Sequence, residues 1–265
     1  MDLVGLINRY KSLGIDEVID HEKFNQISIV HHSTKIEGST LTEVEAQVLI
    51  MEGLTPKGKP IHDSLMVTDH YAALQFALAS AKNKTQVSTK LIQEINALVV
   101  KNTGKVYNTV FGTVDSTTGA FRKGNVSAGA TYFPNYDKVE PLTDELAVAI
   151  SKKLVISHSI TDQLNLSFDA HFNLVSIHPF YDGNGRTSRL LMNYIQAYYS
   201  IPLAVVHSDA KAEYIQALID TRERDDINIF RDFMVLEYSK LLENEIKEFE
   251  KIDTPKKGKG FDLMF

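Results

Sequence analysis

Ile160, Leu164, Phe168, Phe172 and Val175 recur three or four positions apart, so one apolar stripe runs along a helix directly up to His178. Pro179 disfavours helical geometry in the residue before it, and the helix must stop there. Helical spacing resumes after Asn184 with Leu190, Leu191, Ile195 and Tyr198, until Ser200-Ile201-Pro202 ends it. The chain is thus required to build two helices around a short glycine-containing break. Helical period dominates elsewhere too. Leu91, Ile95, Leu98 and Val99 share a face, as do Leu142, Leu146, Ile150 and Leu154, with Thr143 and Asp144 as candidate caps. Further helices fit 210–221 and 228–249. Only residues 104–136 read otherwise, being rich in Gly, Thr, Val and aromatics. Within them FRKGNVSAGATYFPNY predicts one short β-hairpin with Gly129 near its turn. The expected class is all-α, a helical bundle carrying a small β-hairpin flap. We read 1–85 as an N-terminal helical extension, interrupted by GLTPKGKP at 53–60, then 86–250 as the core and 251–265 as a loose tail.

Several function classes drop out on composition. Net charge is −6 over 265 residues and no long Lys/Arg run occurs, which argues against nucleic acid as a partner. With no cysteine, neither a disulfide framework nor a thiolate zinc site can form. His21, His31 and His32 lack further ligands at metal-binding spacing on a shared face. No apolar stretch reaches bilayer length, and the first residues carry charge too early for a signal peptide. A cytoplasmic protein without membrane contact is expected.

The chemistry concentrates in HPFYDGNGRTSR, His178 to Arg189. Asp182-Gly183-Asn184-Gly185 opens the second helix, and its two glycines let successive N–H groups turn towards one point. Such a nest at a helix N-terminus binds anions through donors and dipole together. Arg186 and Arg189, three apart, add guanidinium forks suited to phosphate oxygens. Asp182 beside that nest would repel phosphate unless a cation such as Mg²⁺ bridges them. His178 on the rim is the side chain whose ordinary pKa suits proton abstraction near neutrality. Base, metal ligand, nest and arginines together describe phosphoryl or nucleotidyl transfer. No GxxxxGK[ST] loop is present.

This segment resembles the HxFx[D/E]GNGRxxR motif of Fic proteins and matches it at every defined position. The resemblance extends over residues 20 to 240 and implies a protein adenylyltransferase that moves AMP from ATP onto a Ser, Thr or Tyr hydroxyl. It implies that His178 deprotonates that hydroxyl, that Phe180 points into the core, and that Asp182 holds Mg²⁺ against the α- and β-phosphates. Gly183, Asn184 and Gly185 would form the anion hole, Arg186 would contact the β-phosphate region, and Arg189 would grip the γ-phosphate. Tyr214, in the downstream string AEYIQAL, would line the adenine pocket. The hairpin around 126–133 would be the flap that receives a target segment, the target itself being unknown. Members of the family often pair, so a homodimer is left open.

Upstream, Ser33-Thr34-Lys35-Ile36-Glu37-Gly38 is similar to the [S/T]xxxE[G/N] inhibitory motif of the same family. The likeness implies that Glu37 pairs with Arg189 and occupies the fork that the γ-phosphate needs. Two rival readings use the same residues. One is a hydrolase that removes AMP from a modified protein with the help of Glu37. The other is a nucleotide-binding interaction module without catalysis.

Overall fold

A computed structural model describes residues 2–17, 21–129 and 131–253. Ten α-helices dominate the described residues: α1 (Leu3–Ser12), α2 (His21–Ile36), α3 (Glu43–Glu52), α4 (Ile61–Lys82), α5 (Thr89–Val99), α6 (Tyr136–Ile156), α7 (Ile160–Ile177), α8 (Asn184–Tyr198), α9 (Lys211–Arg224) and α10 (Ile227–Asp253). Two antiparallel hairpins lie between α5 and α6. The first joins β1 (Val106–Thr109) to β2 (Gly112–Asp115), and the second joins β3 (Ser127–Ala128) to β4 (Thr131–Tyr132).

The all-α expectation with a small flap therefore holds, with differences at three points. The sequence predicts one hairpin and the structure has two, because β1 and β2 carry no apolar/polar alternation that would mark them. Helix α6 starts at Tyr136, ahead of the Thr143 and Asp144 caps expected for it, and Pro141 sits inside it. Thr143 is buried and its hydroxyl donates to the Val139 carbonyl at 2.7 Å, so it serves the interior of the helix. Helix α10 continues to Asp253, past the expected start of the tail, whose remaining residues lie outside those described.

Helix α8 is the centre of the molecule. It packs against α7 and α4 along its length and against α5 near its start. Leu190, Leu191, Tyr194 and Ile195 enter a core built with Val67, Leu74 and Ala77 of α4 and with Ile92 and Ile95 of α5. Met192, on the other side, joins a second core of Phe168, Tyr214, Phe230 and Tyr238. Helix α1 closes that second core by laying Leu3, Leu6 and Ile7 on α10. Every α8 residue from Arg186 to Gln196 is buried, polar ones included. A buried polar group needs a partner, and the extended segment after α8 supplies several. Among the described residues that segment pairs with no strand. Instead Gln196 Oε1 accepts the Ala204 N–H at 2.9 Å, and Asn193 Nδ2 donates to the Ala204 carbonyl at 2.9 Å. These side chains do the work of a β-ladder and fix the path into α9.

Replacing Gln196 with Ala strands a buried backbone N–H. Urea denaturation should then show a loss of about 1–3 kcal/mol, whereas a change below measurement error would mean that the segment is held by other means.

Candidate active site

Helix α7 is capped by Ser159, whose side chain accepts the Asp162 N–H at 3.0 Å, and it ends on His178 in the left-handed region (φ 53°, ψ 57°). A non-glycine residue adopts that conformation at a cost, and such strain gathers at functional sites. Phe180 is buried in the core, as expected for the side chain that fixes the loop. The loop then returns through Gly183, also left-handed at φ 79°, to the first turn of α8. A Cβ at Gly183 would lie 2.9 Å from Asn96 Nδ2 and 3.0 Å from Val100, so α5 packs on the bare backbone.

Asn184 folds its side chain back to accept the Phe180 N–H at 2.9 Å and to donate to the Phe180 carbonyl at 2.8 Å. Its amide side chain thus staples the loop, using its oxygen and one of its two N–H donors. The first-turn N–H groups of α8 have no intrahelical carbonyl to bond, as at any helix start. From α5, Asn96 Nδ2 donates to the Asp182 carbonyl at 3.0 Å and holds the break from below.

Arg186 is buried, reaching the Val99 carbonyl at the end of α5 (3.2 Å) and Asp182 Oδ1 (3.0 Å). Asp182 Oδ1 also accepts the Gly183 N–H at 2.6 Å, and its side chain is 42% exposed. Arg186, expected to serve phosphate, is held by these protein acceptors, and Arg189 is paired with Glu37 as the upstream string implies.

The Arg189 side chain is only 4% exposed. Its Nε donates to Ser33 Oγ at 2.8 Å and its Nη2 to the Ser33 carbonyl at 3.0 Å and to Glu37 Oε1 at 2.6 Å. Nη1 lies 3.5 Å from the Tyr214 hydroxyl. Glu37, just past the end of α2, is thus brought onto the guanidinium across 152 residues of sequence. Burial alone would push the Glu37 carboxyl up, but the charge and hydrogen bond of Arg189 outweigh it and hold the group below its ordinary value. Gly185 permits the approach, since a Cβ there would stand 2.5 Å from Glu37 Oε1. Tyr214, expected against adenine, is buried and turns its hydroxyl to His171 Nε2 at 2.9 Å as well as to Arg189.

His178, Glu37, Arg189 and Gly185 line one cavity of about 290 Å³, walled by Phe133 of the flap and Ile215 of α9. A larger cleft of about 570 Å³ lies elsewhere, between α2 and α4, and contains none of these groups. His178 Nδ1 lies 3.3 Å from the Val175 carbonyl, which can only accept, so the ring proton sits on Nδ1 and the Nε2 lone pair is free. Burial lowers its pKa to about 4. The Arg122 and Arg222 charges push the same way, against the Val175 carbonyl and Glu37. The imidazole is therefore neutral at pH 7, the form whose Nε2 can accept a proton.

One participant escaped the sequence reading. Arg122 is buried to 1% exposure and its Nε donates to the His178 carbonyl at 2.8 Å. The only available signal was a lone arginine at the foot of the predicted hairpin.

The Fic/DOC family profile matches residues 86–196, which contain the whole of α7, the break and most of α8. The chain belongs to the Fic/DOC family. Relatives named protein adenylyltransferase fic-1 from Caenorhabditis elegans and protein adenylyltransferase Fic from Drosophila melanogaster are 31% and 29% identical over 191 and 201 residues. The matches cover 71% and 74% of this chain, and 35% and 37% of those proteins. The chain thus spans about a third of the length of the curated relatives it matches. A Fic-domain signalling protein from Bacteroides thetaiotaomicron superposes with a TM-score of 0.81 at 20% identity, covering 97% of this chain and all of that one. Fic-1 from C. elegans gives 0.76 at 22%, covering 95% and 72%. These two structures confirm the fold of the Fic chain.

His178 and His32 have pKa values lowered to about 4 and about 3, and burial also lowers His70 and His171. Below pH ~6.5 the unfolded chain takes up protons that the folded chain refuses. Stability should therefore fall as pH drops from 7.5 to 5.5, by up to about 1.4 kcal/mol per pH unit for each such group. Urea midpoints that stay flat over this range would contradict the neutral, buried state of these rings.

Proposed function

We propose that this chain transfers AMP from ATP to a Ser, Thr or Tyr hydroxyl of another protein, and that Glu37 restrains it. The observation that carries the reading is the cavity itself, in which a neutral imidazole with a free Nε2 faces an arginine already bound by a carboxylate. The names of the relatives support the same reaction class.

In this reading the triphosphate lies along the start of α8, where unpaired N–H groups and the helix dipole favour anions. Nε2 of His178 takes the proton of the target hydroxyl as its oxygen attacks the α-phosphorus. The new P–O bond forms as the bond to the β-phosphate oxygen breaks, and pyrophosphate leaves. The flap presents the target by accepting an extended segment along a free strand edge.

Asp182 suits Mg²⁺. Only Oδ1 is engaged, Oδ2 has no hydrogen bond among the described residues, and the side chain is open to solvent. A cation that takes one carboxylate and fills its shell with phosphate and water oxygens fits such a site. Among the described residues no group of three or more His, Asp or Glu could hold a metal alone, so the nucleotide would have to contribute ligands. When bound, Mg²⁺ would offset phosphate charge.

Restraint follows from competition. Glu37 and the γ-phosphate need the same guanidinium, so ATP bound while the pair persists is left without its grip on Arg189. A second reading draws on the one-third exposure of the Glu37 side chain in the cavity of His178. There the carboxylate could activate water to release AMP from a modified protein. Incubation of purified AMP-modified target separates the two, because AMP loss that needs Glu37 favours removal.

With α-labelled ATP, Glu37→Gly should incorporate at least ~10-fold more label into protein than the wild type, corresponding to ~1.4 kcal/mol of released restraint. His178→Ala in that background should abolish incorporation. An unlabelled product with Glu37→Gly, nucleotide binding being intact, would sink the transfer reading.

A further inference from the structure

Among the described residues Arg122 is the largest fully buried side chain, and its guanidinium hydrogen bonds there all go to main-chain carbonyls. Burying a cation without a carboxylate partner is costly, and an apolar side chain of similar volume would fill the space more cheaply. What an apolar residue lacks is the rigid five-donor fork.

The carbonyls that the fork reaches belong to two separate parts of the molecule. Nε bonds the His178 carbonyl at 2.8 Å, and Nη2 approaches that of Ile177 at 3.5 Å, both at the end of α7 where the helix dipole favours a cation. Nη1 bonds the Gly124 carbonyl at 2.8 Å and Nη2 that of Pro134, the two feet of the β3–β4 flap. The Arg122 N–H adds a bond to the Pro179 carbonyl at 3.0 Å. Next to Pro134, Phe133 stacks on the His178 ring with centroids 3.9 Å apart and planes 17° apart. One side chain therefore grips the strained main chain of His178 and both ends of the flap that covers its ring.

We propose that Arg122 is a positioning residue for the transfer reaction, locking the flap to the His178 main chain so that a target segment laid on the flap brings its hydroxyl to His178 Nε2. The inference rests on the transfer reading for its consequence, although the clamp belongs to the chain itself. Arg122 touches no reacting atom. Its effect passes through the conformation of His178 and the stacking of Phe133.

The test uses Arg122→Gln, Arg122→Lys and Phe133→Leu, each in the Glu37→Gly background, with two readouts. The first is the His178 ring titration followed by NMR in the protein without nucleotide. The charged groups that bear on this ring are Arg122, Arg222 and Glu37, the last being absent from all variants and from their parent. The Gln variant removes a repelling cation and loosens the cover over the ring, so the His178 midpoint should rise from that of the parent by a full pH unit or more. Lys should restore part of the shift, and Phe133→Leu should move the midpoint the same way with the guanidinium still present. The second readout is kinetic. For Arg122→Gln, kcat towards a protein target should fall at least ~10-fold, while KM for ATP changes less than about twofold.

An unchanged His178 midpoint in both Arg122→Gln and Phe133→Leu overturns the clamp, whatever happens to the rate. Equal losses in kcat and in ATP affinity also overturn it, since a general loosening of the site would do that. If Arg122→Gln does not fold, Phe133→Leu and Arg122→Lys decide the question alone. If the Glu37→Gly parent transfers nothing, the transfer reading fails and the titration still reports on the clamp.

Discussion

Arg189 is a guanidinium sealed in the interior, and the arrangement of the site follows from the need to satisfy it. A buried cation left without an anion costs several kcal/mol. Ser33 supplies a hydroxyl and a carbonyl, Tyr214 a hydroxyl, and Glu37 the only carboxylate that pairs with it among the described residues. This requirement explains the end of α2. The helix delivers Ser33 one turn before Glu37, so both reach the same fork, and the chain then turns away through Gly38 at φ 105°. It also explains why Gly185 carries no side chain. An anionic ligand that displaced Glu37 would inherit a cation already held in place on its other donors.

The same logic gives α8 its unusual character. Most helices bury an apolar stripe and leave the opposite face wet. Here the helix is buried all round from Arg186 to Gln196, and its polar residues hold other parts of the molecule in position. Asn184 staples the loop, Arg189 gathers α2, and Asn193 with Gln196 replaces a missing sheet partner. Strain accompanies this at His178, where a left-handed residue closes α7 and turns its imidazole into the cavity. The flap lies over that ring, so a target strand bound there would meet the base directly.

Much of this was legible in the sequence. The helical period from Ile160 to Val175, the proline after His178 and the two glycines before Arg186 are local signals, and each gave the local structure that physics assigns it. Phe180 is buried as its place in the motif implied. The Ser33-to-Gly38 string pointed to a pairing of Glu37 with Arg189 that is present in the structure. What stayed hidden depends on contacts between distant residues. Arg122 is one arginine among many until the fold places its fork against four carbonyls. Tyr214 stood out in the sequence only through the family resemblance, and its hydrogen bonds to His171 and Arg189 arise only when α7, α8 and α9 pack. Hairpin β1–β2 carries no alternation to announce it. It is held against the motif loop by Tyr107, which stacks on Tyr181 at 4.4 Å.

Glu37 and the terminal phosphate of a nucleotide are proposed to compete for one guanidinium. Calorimetric affinities for ATP and ADP, compared between the wild type and Glu37→Gly, test it most directly. Competition at Arg189 predicts that removing the carboxylate strengthens ATP binding by about tenfold or more, ~1.4 kcal/mol, with a much smaller gain for ADP. Equal gains for both nucleotides, or none for either, would rule out that competition.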